Sequence, residues 1–143
     1  MEEVMIRAQA MAARTACERM TALHLRTLHD SVQRACCLVG RTEWHRKAAA
    51  HAEFLGLLAE MAADPVLAPV QRGAAGYVRE VMQVVGRAAD GMIISSRRRL
   101  LAHMGARDGE AAALEMESHL RGLLFMWRLA CYQQQGDREV TVA

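Results

Sequence analysis

The feature of this sequence that most restricts its fold is the return of apolar residues every three or four positions, in block after block. In "HAEFLGLLAEMAADPVL", residues 51–67, this spacing places Phe54, Leu55, Leu58 and Met61 on one face of an α-helix. The composition agrees, because aromatic residues make up only 4% of the chain and residues with good helix propensity are abundant. We therefore predict an all-α protein.

Capping residues, glycines and a proline between the blocks mark where we expect helices to begin and end. These boundary signals are Thr21, Gly40, Thr42, Asp64-Pro65, Asp90-Gly91 and Asp108. The predicted helices span about residues 2–18, 21–40, 43–62, 65–89, 92–105 and 108–134. Short connections favour antiparallel neighbours, so we predict one helical-bundle domain over residues 1–134 and a disordered tail over 135–143.

Charge and hydropathy argue against several classes of protein. The net charge is +2 and the basic residues are spread along the chain, so the sequence has no concentrated nucleic-acid-binding surface. No apolar run is long enough for a membrane span, and the acidic N-terminus is unlike a signal peptide. We expect a cytoplasmic protein that does not enter the membrane.

The sequence also lacks the motifs of the common enzyme classes. It has no G-x-S-x-G, no H-E-x-x-H, no P-loop and no dinucleotide-binding glycine pattern. Glu53 and Glu60 lie off the helical face of His51, so no acid–base pair is predicted beside that imidazole. We expect a protein that is not an enzyme.

Three polar residues interrupt apolar faces that should point into the core. His51, Arg97 and His119 each stand in register with the apolar residues of a different predicted helix. An unpaired polar group in a core costs about 2–7 kcal/mol, so each of them requires a partner. The three side chains either line a shared polar cavity or form an internal network with neighbouring side chains.

Three stretches of the sequence together resemble the C-terminal effector-binding domain of the FadR subgroup of GntR-family transcriptional regulators. They are "ARTACERM" at 13–20, "HAEFLGLLAEMAADPVL" at 51–67, and "SRRRLLAHMGARDGEAAALEMESHL" at 96–120. The resemblance implies an antiparallel bundle of six to seven helices that forms a homodimer. It also implies an N-terminal winged helix-turn-helix, absent from this chain, through which the full-length regulator would bind DNA.

Many members of that family hold a divalent metal in the bundle. The ligands are an Asp and a His four residues apart on one helix, and one His from each of two later helices. By position, the resemblance assigns these places to His51, Leu55, Arg97 and His119. Leu55 has no ligating atom and Arg97 repels a cation, which leaves two imidazoles where a divalent metal usually takes three or four protein ligands.

We therefore expect the site to bind a small organic acid or an acyl compound, with no cofactor. In this hypothesis Arg97 holds a carboxylate, His51 and His119 orient it, and Tyr77 and Trp127 form a wall. One alternative is a dimerisation or partner-binding module with a vestigial pocket. Another is a helical bundle that binds a divalent metal such as zinc or nickel through His51 and His119.

Overall fold

The computed structural model describes residues 2–38 and 43–142, and all regular secondary structure in those ranges is helical. The elements are α1 (Glu2–Arg19), α2 (Ala22–Cys37), α3 (Trp44–Ala62), α4 (Ala68–Val85), a 3₁₀ helix (Gly86–Ala89), α5 (Asp90–Gly105) and α6 (Gly109–Val142). The predicted all-α fold is confirmed. The predicted helix end at Gly40 and the helix start after Thr42 lie outside the described residues.

Helix α1 lies at the centre of the bundle, where it packs against α3, α4 and α6. Its ion pairs with α6 show that the two helices are antiparallel. Glu3 near the start of α1 pairs with Arg121 at 2.6 Å, whereas Arg14 near its end pairs with Glu110 in the first turn of α6. The first and last helices of the chain therefore pack together along their lengths.

The remaining helices complete the bundle around an aliphatic core. Helix α2 packs on α3 and α5, and α5 packs in turn on α6. The buried residues are mainly Leu, Met, Ala, Ile and Val, as expected for a chain poor in aromatic residues. The indole of Trp44 donates to the carbonyl of Met82 at 3.0 Å and so joins the start of α3 to the end of α4. Among the described residues, no helix is long and apolar enough to cross a membrane.

Two predicted boundaries around α4 are wrong by several residues. The helix begins at Ala68 instead of Pro65, because the carboxylate of Asp64 accepts hydrogen bonds from the backbone of Val66 and Leu67 and holds a turn there. It ends at Val85, where Gly86 takes a positive φ of 77°. Asp90 and Gly91, predicted to end the preceding helix, are instead the first residues of α5.

The tail predicted to be disordered covers residues 135–143, whereas α6 continues to Val142, and residue 143 lies outside the described residues. The side chains from 132 to 140 are exposed, so these turns are helical without burial in the core. The sequence there shows no helical spacing of apolar residues, because three consecutive charged residues at 137–139 are followed by Val140, Thr141 and Val142. The backbone forms a helix nevertheless, because α6 supplies the preceding turns and extending a helix costs less than starting one.

The caps at two other boundaries agree with the sequence. Thr21 accepts a hydrogen bond from the backbone of His24 and begins α2, and Asp108 accepts one from the backbone of Ala111 and begins α6. The end of α3 is less favourable. Ala63 adopts a left-handed conformation with φ 50°, which costs an L-residue with a Cβ more than it costs glycine.

We expect Ala63→Gly to raise the free energy of unfolding by about 1 kcal/mol, because glycine adopts the left-handed conformation without strain. The matched control is Ala102→Gly, at an exposed right-handed position in α5, which should lower it by about 0.5–1 kcal/mol. Chemical denaturation of the two variants measures both effects. Equal losses in both variants would show that the left-handed conformation at Ala63 is not strained.

Candidate functional site

Three polar side chains from three different helices are buried together in the bundle. His51 of α3, Arg97 of α5 and His119 of α6 are exposed by only 2%, 1% and 4%. Each of them occupies a position on its helix at which the spacing of apolar neighbours turns the side chain inward. The structure thus buries all three residues, as the helical spacing predicts.

Arg97 is a buried charge with an incomplete set of hydrogen-bond partners. Its Nη2 donates to the backbone carbonyl of His51 at 3.3 Å, and its guanidinium carbon lies 4.8 Å from the centre of the Phe54 ring. Its Nε and Nη1 have no hydrogen-bond partner among the described residues. Burial lowers the pKa of the Arg97 guanidinium to about 9, and no carboxylate in the described part of the chain offsets that effect.

His119 is equally without partners. Neither Nδ1 nor Nε2 of its imidazole makes a hydrogen bond within residues 2–38 and 43–142. Burial, together with the neighbouring charge of Arg97, holds the pKa of His119 well below the ordinary value of 6.5. The imidazole is therefore neutral at physiological pH, with one nitrogen able to donate and the other able to accept.

His51, in contrast, is held by a pair of charged residues. Its Nε2 lies 2.9 Å from Oδ1 of Asp90, and Oδ2 of Asp90 accepts from Nζ of Lys47 at 2.9 Å. Burial lowers the pKa of His51 despite its hydrogen bond to Asp90. Burial alone would raise the pKa of Asp90, but the hydrogen bonds from Lys47 and His51 hold it below the usual value.

The sequence reasoning missed Asp90 and Lys47, although the spacing contains a signal for both. Lys47 precedes His51 by four residues and Asp90 precedes Arg97 by seven, so each lies on the same helical face as a residue of the site. The Asp90-Gly91 pair predicts a helix break, whereas Asp90 lies in the first turn of α5. Contact between the two residues depends on how α3 and α5 pack, which spacing does not give.

The residues of the site do not fit a divalent metal. Leu55, at a position where the resemblance expects a ligating histidine, is fully buried and has no donor atom. Arg97, at another of those positions, places a positive charge where a cation would lie. In the part of the chain that the structure describes, no three His, Cys, Asp or Glu side chains are grouped for metal binding.

Tyr77 and Trp127, predicted as a wall of the site, lie against each other. Their ring centres are 6.3 Å apart in an edge-to-face arrangement. Tyr77 is 37% exposed and lines a surface groove between α1 and α4 together with Val4 and Val70. The two aromatic side chains form a pair at the bundle surface, and a role for them in ligand binding stays a prediction.

Comparison with protein families gives a match over most of the chain. The family model of the FCD domain matches residues 3–122, which extend from the first turn of α1 into α6. A comparison with curated proteins gave no match. The matched residues include His51, Arg97 and His119, whereas Trp127 lies beyond them.

The neutral buried histidines make stability depend on pH. An imidazole whose pKa is lowered by folding binds its proton more readily in the unfolded chain, so acid favours unfolding. We expect the free energy of unfolding to fall as the pH drops below about 6.5, by up to about 1.4 kcal/mol per pH unit for each histidine.

Denaturant unfolding at a series of pH values measures this dependence, with His119→Gln as the variant. The variant should reduce the slope of the free energy of unfolding against pH by up to about 1.4 kcal/mol per pH unit, since it removes one titrating group. His29→Gln, at an exposed position on α2, is the control for the substitution itself. The same slope in His119→Gln and in the wild type would contradict a neutral, buried His119.

Proposed function

The chain belongs to the FCD domain family, the C-terminal effector-binding domain of GntR/FadR-type transcriptional regulators, and on that basis we propose that it senses a small organic acid through Arg97. In this proposal the effector enters the bundle and its carboxylate accepts hydrogen bonds from the guanidinium. The domain performs no catalysis and transmits the presence of the acid to the rest of the regulator.

The observation that carries the proposal is the uncompensated charge of Arg97. A guanidinium has five N–H donors, and the three on Nε and Nη1 have no acceptor among the described residues although the side chain is 1% exposed. A buried charge without a counter-charge is costly, and the contacts that the described residues make with the guanidinium of Arg97 are one carbonyl and one aromatic ring. A carboxylate balances the charge and accepts hydrogen bonds from two N–H donors, because its two oxygens fit the planar guanidinium in a bidentate contact.

The surrounding residues orient the contact between the guanidinium and the carboxylate. The carbonyl of His51 fixes one end of the guanidinium, and the side chain of His51 is itself held by Asp90. His119 has both ring nitrogens free beside the charge of Arg97, so it is the residue best placed to hydrogen-bond a polar group of the effector. Arg97 supplies the charge, and His119 recognises the neutral part of the ligand.

The site also suggests how binding would reach the rest of a regulator. Arg97 lies on α5 and His51 on α3, so an acid that draws the guanidinium away from the His51 carbonyl changes the contact between two helices. We propose that effector binding selects one packing of these helices in a homodimer, and that this packing sets the spacing of DNA-binding domains attached to the bundle. No step of this proposal requires a bound metal.

The variant Arg97→Met tests the proposal directly. It removes the charge but keeps the length of the side chain, so we expect the affinity for carboxylic acids to fall by more than about 100-fold in calorimetric titration with a library of such acids. The matched control is Arg98→Met, at the exposed neighbouring position on α5, which should bind acids as the wild type does.

The same variant distinguishes a ligand site from a structural network. Without ligand, Arg97→Met should be more stable than the wild type by about 2 kcal/mol, because it replaces an unpaired buried charge with an apolar side chain. A loss of stability in Arg97→Met, or an acid that binds this variant and the wild type equally well, would refute the proposed anchor.

A further inference from the structure

The charges around the site leave a single positive charge without a partner. Lys47 and Asp90 neutralise each other at 2.9 Å, and Arg99, on the same helix as Arg97, is paired with Glu115 at 2.9 Å. For Arg97 the described part of the chain offers no carboxylate within ion-pair distance. Of these charged residues, only Arg97 has no ion-pair partner within the described ranges, so an anion that binds in the site would pair with Arg97.

The two imidazoles of the site add no positive charge to that of Arg97. His51 and His119 are buried, and burial disfavours the protonated form of both rings. His119 also lies near the positive charge of Arg97, which opposes a second positive charge in the same space. The interior of the site therefore carries a net charge of one, located on the guanidinium.

Resting on the function proposed above, we infer that the site selects acids with a single negative charge over dicarboxylic and tricarboxylic acids. One carboxylate balances Arg97 and leaves the interior neutral. A second carboxylate would enter the same buried space with no cation to meet it, and an unpaired buried charge is more costly than any single hydrogen bond can offset.

The apolar surroundings of the guanidinium support the same conclusion. The ring of Phe54 lies against Arg97, with its centre 4.8 Å from the guanidinium carbon. This ring offers no hydrogen bond to a second carboxylate. The part of the ligand that continues past its one carboxylate is therefore neutral, and its polar contacts are limited to groups such as the free nitrogens of His119.

Matched pairs of acids that differ only in the second carboxylate test this inference. We would titrate the protein with butanoate and butanedioate, and with hexanoate and hexanedioate, at about pH 8, where carboxyl groups are ionised and histidines are neutral. Isothermal titration calorimetry on the wild type should give about tenfold or greater tighter binding of each monoacid than of its diacid. Arg97→Met should bind neither member of a pair, and Arg98→Met should keep the wild-type preference.

The outcomes separate this inference from the proposed function. Diacids that bind as tightly as the monoacids, with binding lost in Arg97→Met, would overturn the selectivity for one charge and leave Arg97 as the anchor. Binding of neither class to the wild type, or equal binding to the wild type and Arg97→Met, would overturn the proposed function and this inference together.

Discussion

The burial of one guanidinium without a counter-charge is the constraint around which the site of this domain is organised. Arg97 is almost completely enclosed and yet has unused donors, an arrangement that the fold tolerates through the His51 carbonyl and the face of Phe54. Such a group lowers the stability of the protein alone and increases the gain from an anion that reaches it. In the proposed function, the cost of this buried charge in the unliganded fold is recovered when an acid binds.

The same arrangement connects the site to the framework of the bundle. The backbone of His51 holds Arg97, the imidazole of His51 holds Asp90, and Asp90 is paired with Lys47. Asp90 opens α5 directly after the 3₁₀ helix that follows α4. The guanidinium of Arg97 is therefore linked to α3 through one hydrogen bond and to the start of α5 through two. Gly86, where α4 ends, adopts a positive φ that glycine accommodates without strain.

Most of the fold can be predicted from local sequence signals, namely the spacing of apolar residues and the helix-capping residues. Apolar spacing places His51, Arg97 and His119 on inward faces, and the caps at Thr21 and Asp108 mark two helix starts. The errors arise where two local signals compete. Asp64-Pro65 forms a turn before α4 instead of starting it, and α6 continues over residues 135–142 although the side chains from 135 to 140 are exposed.

At the site, apolar spacing predicts which side chains point inward, because each residue turns about 100° around a helix whatever its neighbours do. The resemblance to the family pattern further implies that Leu55 and Arg97 stand at positions where metal ligands are expected. The contacts between these side chains come from helix packing: Asp90 contacts His51 and Lys47, and Arg97 contacts a carbonyl instead of a carboxylate. Those contacts join residues about 40 positions apart, so they depend on how whole helices pack and not on local spacing.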